Sequence, residues 1–405
     1  MPGSERNTMA VKAEAAPYLD AFRPDATEPG WLADARRKAI TAFGERGLPS
    51  RREEGWRFTS LRSLADRPFM PGRGELELKS GSLPKGVWFA STARTLGERP
   101  ALARRAISET DLAGGQPFSS LNAALFADGY VLALDEGVML DEPIEIVHSA
   151  TEGSINLRNL IVLAPNSRAT VVETYRGRGA YWTNIVTNVS VGVKASLTHV
   201  KVQDEGIEAI HFSTVRAELA SSAKYRNFSL ALGANLSRQD VQVAHGDGSD
   251  VDVSGAYLQR GDQDATAAVL IDHAAPNATT HELFKGVIDE RAHGAFLGTI
   301  RVRAGAQKTD AKQTSRALLL SDRASVDTKP ELEILADDVK CAHGAAVGDL
   351  DKETLFYLRA RGIGEDEARR MLIEAFVLEA VETVKEPALR ERLASHVRRW
   401  LEAGR

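Results

Sequence analysis

Ser196-Leu-Thr-His-Val-Lys-Val202 is a short run rich in β-branched residues, and Arg226-Asn-Phe-Ser-Leu230 follows it one short interval later. Ala195 stands before the first run and Ala223 lies just ahead of the second. The same arrangement of small residue and strand-like run recurs around Ala169, Ala195, Ala223, Asp250, Ala278 and Ala306, at steps of 26, 28, 27, 28 and 28 residues. A near-constant period in this range is the mark of a solenoid, in which each unit buries its apolar face on the next. Other runs fit the same scheme: Leu160-Ile-Val-Leu163, Thr170-Val-Val-Glu-Thr174 and Thr299-Ile-Arg-Val302. Helical periodicity is almost absent between residues 128 and 340, so the repeating unit is made of strands and turns. A parallel β-helix meets these demands better than a β-sandwich, which calls for turn signals every 8–12 residues or so.

Outward from this core the character changes on both sides. Residues 1–30 contain Pro2, Pro17, Pro24 and Pro29 and read as a flexible tail. Trp31, Leu32, Ala35, Ala39, Ile40 and Phe43 recur at helical spacing, with Gly44 or Gly47 to stop the helix and Pro49 to prevent its return. A second short helix is expected from about Ser60, and Gly86-Val-Trp-Phe-Ala90 reads as a strand within a mixed stretch. These features give four regions: a tail over 1–30, a helical and mixed domain over 31–115, the β-helix over 116–345 and a helical domain over 346–405. In the last, helices are expected over 351–360, 365–384 and from Pro387 to about 403, with Gly362 ending the first. The helix over 365–384 has its glutamates Glu374, Glu379 and Glu382 within an arc of about 140°. Apolar residues fill the rest, so it needs more than one neighbour, either the chain's own helices or a partner protein.

Composition excludes several functional classes. The 405 residues carry a net charge of -5 with basic and acidic residues well mixed, which gives no basic face for nucleic acid. The only cysteine, Cys341, cannot form an internal disulfide. Residues 1–17 lack the apolar stretch of a secretory signal, and no run of about 18 apolar residues exists to span a membrane. A cytoplasmic protein is the expectation. No HExxH, Gly-x-Ser-x-Gly or phosphate-loop pattern is present. His245-Gly-Asp-Gly-Ser-Asp250 lacks the spaced acidic set of a calcium loop and reads as a β-turn. Asp272-His273 and His281-Glu282, either side of Pro276-Asn277, would serve acid–base chemistry only if they converged, and read instead as solvated turns.

Cys341 and His343 are the remaining candidates. In an extended strand both side chains leave the same face. Thiolate and imidazole are ligands for iron and zinc, but two ligands do not close a site. Either another chain completes it, or Cys341 is a small buried hydrophobe beside an unrelated histidine.

Several separate motifs resemble the SufB/SufD family of scaffold subunits for iron–sulfur cluster assembly. They are Asp338-Val-Lys-Cys-Ala-His-Gly-Ala-Ala-Val-Gly348, Leu355-Phe-Tyr-Leu-Arg-Ala-Arg-Gly-Ile363, Glu367-Ala-Arg369, Ala306-Gln-Lys-Thr-Asp310, Leu318-Leu-Leu-Ser-Asp322, Pro330-Glu-Leu-Glu-Ile334, Phe118-Ser-Ser-Leu-Asn122 and Glu54-Gly-Trp-Arg-Phe-Thr59. Gly55 interrupts the family's usual Glu-Trp junction. A short chain with one cysteine is similar to the SufD branch rather than to the longer, cysteine-richer SufB branch. The resemblance implies a right-handed parallel β-helix between helical ends, and a non-enzymatic scaffold that pairs with SufB through the β-helix. It implies docking of the ATPase SufC on the C-terminal helices, where Leu355, Phe356, Tyr357, Arg361, Gly362, Ile363, Met371, Leu372 and Phe376 are the candidate contacts. It implies that His343, with Cys341 in a secondary role, faces an iron–sulfur cluster formed transiently at the SufB interface, with no cofactor held tightly by this chain alone. ATP-driven closure of SufC would then rearrange that interface. An isolated chain is expected to pair with itself through the same surface. The competing readings are an adaptor that contributes no cluster ligand, a SufB-like paralogue and, remotely, a β-helix polysaccharide lyase.

Overall fold

The computed structural model describes residues 16–65, 67, 69–107, 112 and 116–403. Its centre is a parallel β-solenoid of two facing sheets with nine strands each. One sheet contains β1 (Glu75–Leu78), β4 (Ile144–Ala150), β6 (Arg168–Gly177), β8 (Ser196–Glu205), β10 (Lys224–Ala231), β12 (Asp250–Gln259), β14 (Thr279–Ile288), β16 (Asp310–Leu319) and β18 (Lys340–Gly348), in that order. The other contains β2 (Val87–Ser91), β3 (Tyr130–Leu134), β5 (Gly153–Leu163), β7 (Tyr181–Val191), β9 (Ile210–Leu219), β11 (Leu236–His245), β13 (Asp264–His273), β15 (His293–Val302) and β17 (Ser325–Ile334). Each coil contributes one strand to each sheet, and the pairing from coil to coil is parallel. Between the sheets lies a continuous column of Val, Ile, Leu, Ala and aromatic side chains, including Ile146, Val171, Leu197, Tyr225, Val253, Phe284, Phe296 and Ile300.

The period has a physical origin at one corner. Asn166, Lys194, Ser222, Asn277 and Lys308 all hold a left-handed backbone, with φ between 55° and 61°, and Gly248 takes the same place at 61°. A non-glycine residue accepts this conformation only where its surroundings enforce it. Here each corner N–H donates to a carbonyl of the next coil: Asn166 to Val193, Lys194 to Ser221, Ser222 to Asp247, Asn277 to Gln307 and Lys308 to Asp338. The residue that follows is small and buried: Ser167, Ala195, Ala223, Ser249, Ala278 and Thr309. Of the expected landmarks, Ala195, Ala223 and Ala278 occupy this position. Ala169, Asp250 and Ala306 are displaced from it. The coil length therefore drifts more than the even spacing suggested, because the strands fix register while the opposite turns absorb extra residues.

The two ends of the solenoid are built differently. β1 pairs antiparallel with β4, and β2 antiparallel with β3, so both strands end their sheets. They come from the stretch assigned to the N-terminal mixed domain, which is thus partly built into the solenoid. Conversely, Pro117–Leu125 (α2), inside the span expected to be β-helix, is a helix, and β18 runs on to Gly348. At the far end β17 and β18 are each paired on one side only.

Helices cover the outer face of each sheet. Gly30–Arg46 (α1) ends at Gly47, φ 76°, whose N–H returns to the carbonyl of Phe43. Residues 16–20 are helical and Tyr18 is 1% exposed, with its ring 5.4 Å from that of Trp182. That corrects the expected tail for residues 16–20; residues 1–15 lie outside the described residues. Trp56, three residues from Glu53, packs on Phe118 and Phe212, with the Arg238 guanidinium 3.9 Å from its ring centre. At the other end Lys352–Ala360 (α3) is capped by Asp351, whose side chain accepts from the Glu353 N–H. Glu365–Val381 (α4) and Pro387–Glu402 (α5) follow. Ile373, Val377, Val381, Leu389, Leu393 and Val397 bury the outward-facing Val200, Val202, Phe228, Leu230, Leu283 and Val287 of the first sheet. The wide apolar arc of α4 is thus met largely by the chain itself. Lys285, fully buried on β14, clasps Glu379 and lies 4.3 Å from the Phe376 ring centre.

Candidate functional site

The last coil carries Cys341 and His343. Parallel pairing puts Cys341 in register with Ala311 and His343 with Gln313. Ala311 and Gln313 are both 1% exposed and belong to the inward face of β16. Neighbours in register share a face, so Cys341 and His343 both belong to the inner face of the solenoid, as their spacing predicts. They differ in surroundings. Cys341 is half-buried and packs against the core, while His343, with no later coil over it, is exposed. Burial and the negative charge of Asp310 push the Cys341 thiol above its ordinary value, against the Ala311 N–H that lowers it. A raised thiol is a poor nucleophile and ligand at neutral pH. His343 is therefore the better-presented group. Among the described residues no three histidine, cysteine or acidic side chains gather closely enough to hold a metal ion.

β18 is a free sheet edge next to this histidine. Leu335 and Val347, 69% and 47% exposed, add apolar surface at the same end. An unpaired, partly apolar edge is a template for another strand.

Beyond β18, the helical candidates separate into two groups. Phe356, Tyr357 and Met371 are exposed, the first by 73%. Arg361 and Gly362 are exposed too, with Gly362 at φ 87° closing α3, while Leu355 and Ile363 are half-buried. Leu372 and Phe376 pack against the cluster that joins α4 to the sheet. Phe356 and Tyr357 on α3 and Met371 on α4 thus leave apolar surface exposed on both helices.

The structure also contains a feature that sequence reasoning missed. The inner face of β8 presents His199, Lys201, Gln203 and Glu205, all within 5% exposure. The Glu173 carboxylate accepts from Tyr130 Oη at 2.9 Å, Tyr175 Oη at 3.0 Å and His199 Nε2 at 2.8 Å. Burial opposes its charge, but these donors outweigh it and lower the carboxyl to about 2. Glu205 lies 2.8 Å from His211 Nδ1, and Lys201 donates to Ser213. An enclosed cavity of about 20 Å³ adjoins Lys201, Gln203, His211 and Arg238, room for a water molecule or two.

The other sequence candidates resolve individually. His245 is buried between the Ser249 and Thr280 hydroxyls, so its loop is the expected turn. The 272–282 segment differs from expectation. His273 and Glu282 are fully buried inside the solenoid, whereas Asp272 pairs outside with Arg303 and His281 faces Asp252. The pairs do not converge, because alternate residues of one strand point to opposite faces.

Comparison with known proteins bears on this geometry. Residues 146–376 match the family description "SUF system FeS cluster assembly, SufBD core domain". An iron–sulfur cluster assembly SufBD family protein of Synechocystis is 30% identical, over 91% of this chain and 90% of its own. The iron–sulfur cluster assembly protein SufD of Escherichia coli is 28% identical, over 88% of this chain and 90% of its own. Its Bacillus subtilis namesake is 26% identical, over 94% and 97%.

Proposed function

The chain belongs to the SufBD family of iron–sulfur cluster assembly proteins and is SufD-like, and from that premise we propose that it is a non-enzymatic scaffold that pairs with SufB through the last coil of its solenoid. The observation that carries this reading is His343: a ligand-type side chain on the inner face of a terminal coil, exposed where no later coil covers it. Strand addition at β18 brings a second chain's residues alongside it, which supplies what two ligands of one chain lack. The cluster is the cargo of this site, and Cys341, half-buried with a raised thiol, stands behind the histidine.

The exposed surface of Phe356, Tyr357 and Met371 suits a helical or grooved partner, and SufC is the ATPase it takes. α4 connects that surface to the solenoid through Lys285 and Glu379. A nucleotide-driven shift of the partner is passed to the β-helix along this helix, provided the nucleotide favours one interface arrangement.

Two measurements test the reading. In the complex purified after co-expression with SufB and SufC, His343→Ala should leave assembly intact and lower cluster yield about tenfold or more; an unchanged yield removes the ligand role and leaves an adaptor. Phe356→Ser with Met371→Ser should release SufC on gel filtration while SufB stays bound. Retention of SufC would place its docking site elsewhere.

A further inference from the structure

We propose that Gln313 is the positioning residue of His343: its side-chain amide, held from behind by Glu282, accepts the imidazole N–H and so turns the other ring nitrogen outward at the end of the solenoid. The inference rests on the scaffold reading for its importance, though not for its test.

Three residues form one inward column on consecutive coils, Glu282 on β14, Gln313 on β16 and His343 on β18, paired by register. Glu282 and Gln313 are 0% and 1% exposed. Gln313 Nε2 donates to Glu282 Oε2 at 3.1 Å. That bond commits the nitrogen end of the amide to the coil behind. The oxygen end, Gln313 Oε1, is buried with no hydrogen-bond partner among the described residues. A buried amide oxygen left without a donor is destabilising, so such an atom calls for one. The next coil in the column offers the His343 imidazole.

The amide has little freedom to serve otherwise. A methyl group added at Gly298, on the facing strand β15, would stand 2.2 Å from Gln313 Nε2 and 2.7 Å from the Phe296 ring. The glycine leaves room for the amide, and the ring beside it restricts its swing. Burial pushes the Glu282 carboxyl up to about 8, against the Gln313 bond that lowers it. At neutral pH it keeps its proton, and the column presents a neutral dipole rather than a charge to the histidine. Ligating histidines are commonly fixed by such an acceptor on the second nitrogen, which sets tautomer and ring direction.

The test needs neither partner nor cluster. In the ¹⁵N-labelled chain, in alkaline buffer where the ring is neutral, long-range nitrogen–proton spectra should show His343 mainly as one tautomer. A ratio no different from that of a free imidazole, which itself favours the Nε2–H form, overturns the proposal before any variant is made. Gln313→Met, close in shape and without the amide, should shift the tautomer ratio about fivefold toward the free mixture. Gly298→Ala, which displaces the amide and leaves its chemistry in place, should shift it the same way. A folded variant of either kind with an unchanged ratio overturns the proposal. The two claims part cleanly: a tautomer governed by Gln313 together with an unaffected cluster yield in His343→Ala would uphold the positioning and remove the ligand role.

Discussion

Replacing Glu173 with leucine is expected to cost about 3–5 kcal/mol of stability, the usual penalty for leaving half of a buried ionic group behind. Glu173 is 2% exposed and serves three strong donors, Tyr130, Tyr175 and His199. Leucine fits the volume but leaves two hydroxyls and an imidazole unmatched inside the solenoid, each having already given up its water. Glu173→Gln retains an acceptor for the tyrosines and should cost about 1–2 kcal/mol. Urea unfolding of the three proteins measures the difference. A leucine variant within about 1 kcal/mol of the parent would show that the network contributes no net stability.

The second large effect is acid lability. Burial lowers His148 to about 4, His273 to about 4 and His245 to about 3. For His245 the neighbouring His273, stacked at 4.2 Å, adds to burial. Below the ordinary histidine value of about 6.5 the unfolded chain takes up three protons that the native one refuses. Stability therefore falls with pH from about 6.5 downward. Glu282 works against this. Its raised carboxyl holds a proton that the unfolded chain loses above about 4.5, so between about 4.5 and 6.5 it favours the native state on acidification. His211, also lowered by burial, adds to the histidine side, so the net difference is at least about two protons, a slope of about 3 kcal/mol per pH unit or more. Below about 4.5 that compensation ends, and Glu173, lowered to about 2, begins to lose its own contribution. Urea-unfolding free energies across this range should show the slope, and Glu282→Gln should steepen it toward three protons or more. A flat profile between about 4.5 and 6.5 would mean that these histidines are reached by solvent.

Much of this architecture was legible in the chain. The spacing of Ala195, Ala223 and Ala278 identified the coil, because one corner geometry demands a small buried residue after each left-handed one. The C-terminal helices were legible through Gly362 as stop and the stripe Leu389, Leu393, Val397, while the cap at Asp351 emerged only in the structure. His343 and Cys341 were correctly placed on one face by alternation alone. The interior of β8 was not legible. In Ser196–Glu205 the valines alternate with His199, Lys201 and Gln203, and the ordinary reading turns the valines inward and the polar residues to water. Both faces are buried here: the C-terminal helices cover Val200 and Val202, and the polar set is satisfied across the solenoid by residues of other coils. The same blindness applies to His273 and Glu282, whose neighbours Pro276 and Asn277 look like an exposed turn. Only the coil-to-coil register, a long-range property, reveals which partners they meet.

Antiparallel strands at the first end and parallel ones at the last make the solenoid unequal along its axis. Each coil draws its stability from the two beside it, yet the coil that presents His343 has a neighbour on one side alone. Cooperativity is therefore low where His343 sits, and β17 and β18 are places where fraying starts. A partner strand added there completes the missing neighbour, so recognition and ordering of the site become one event. Gln313 aims the ring from behind, and a strand standing against that edge would steady the coil that carries it.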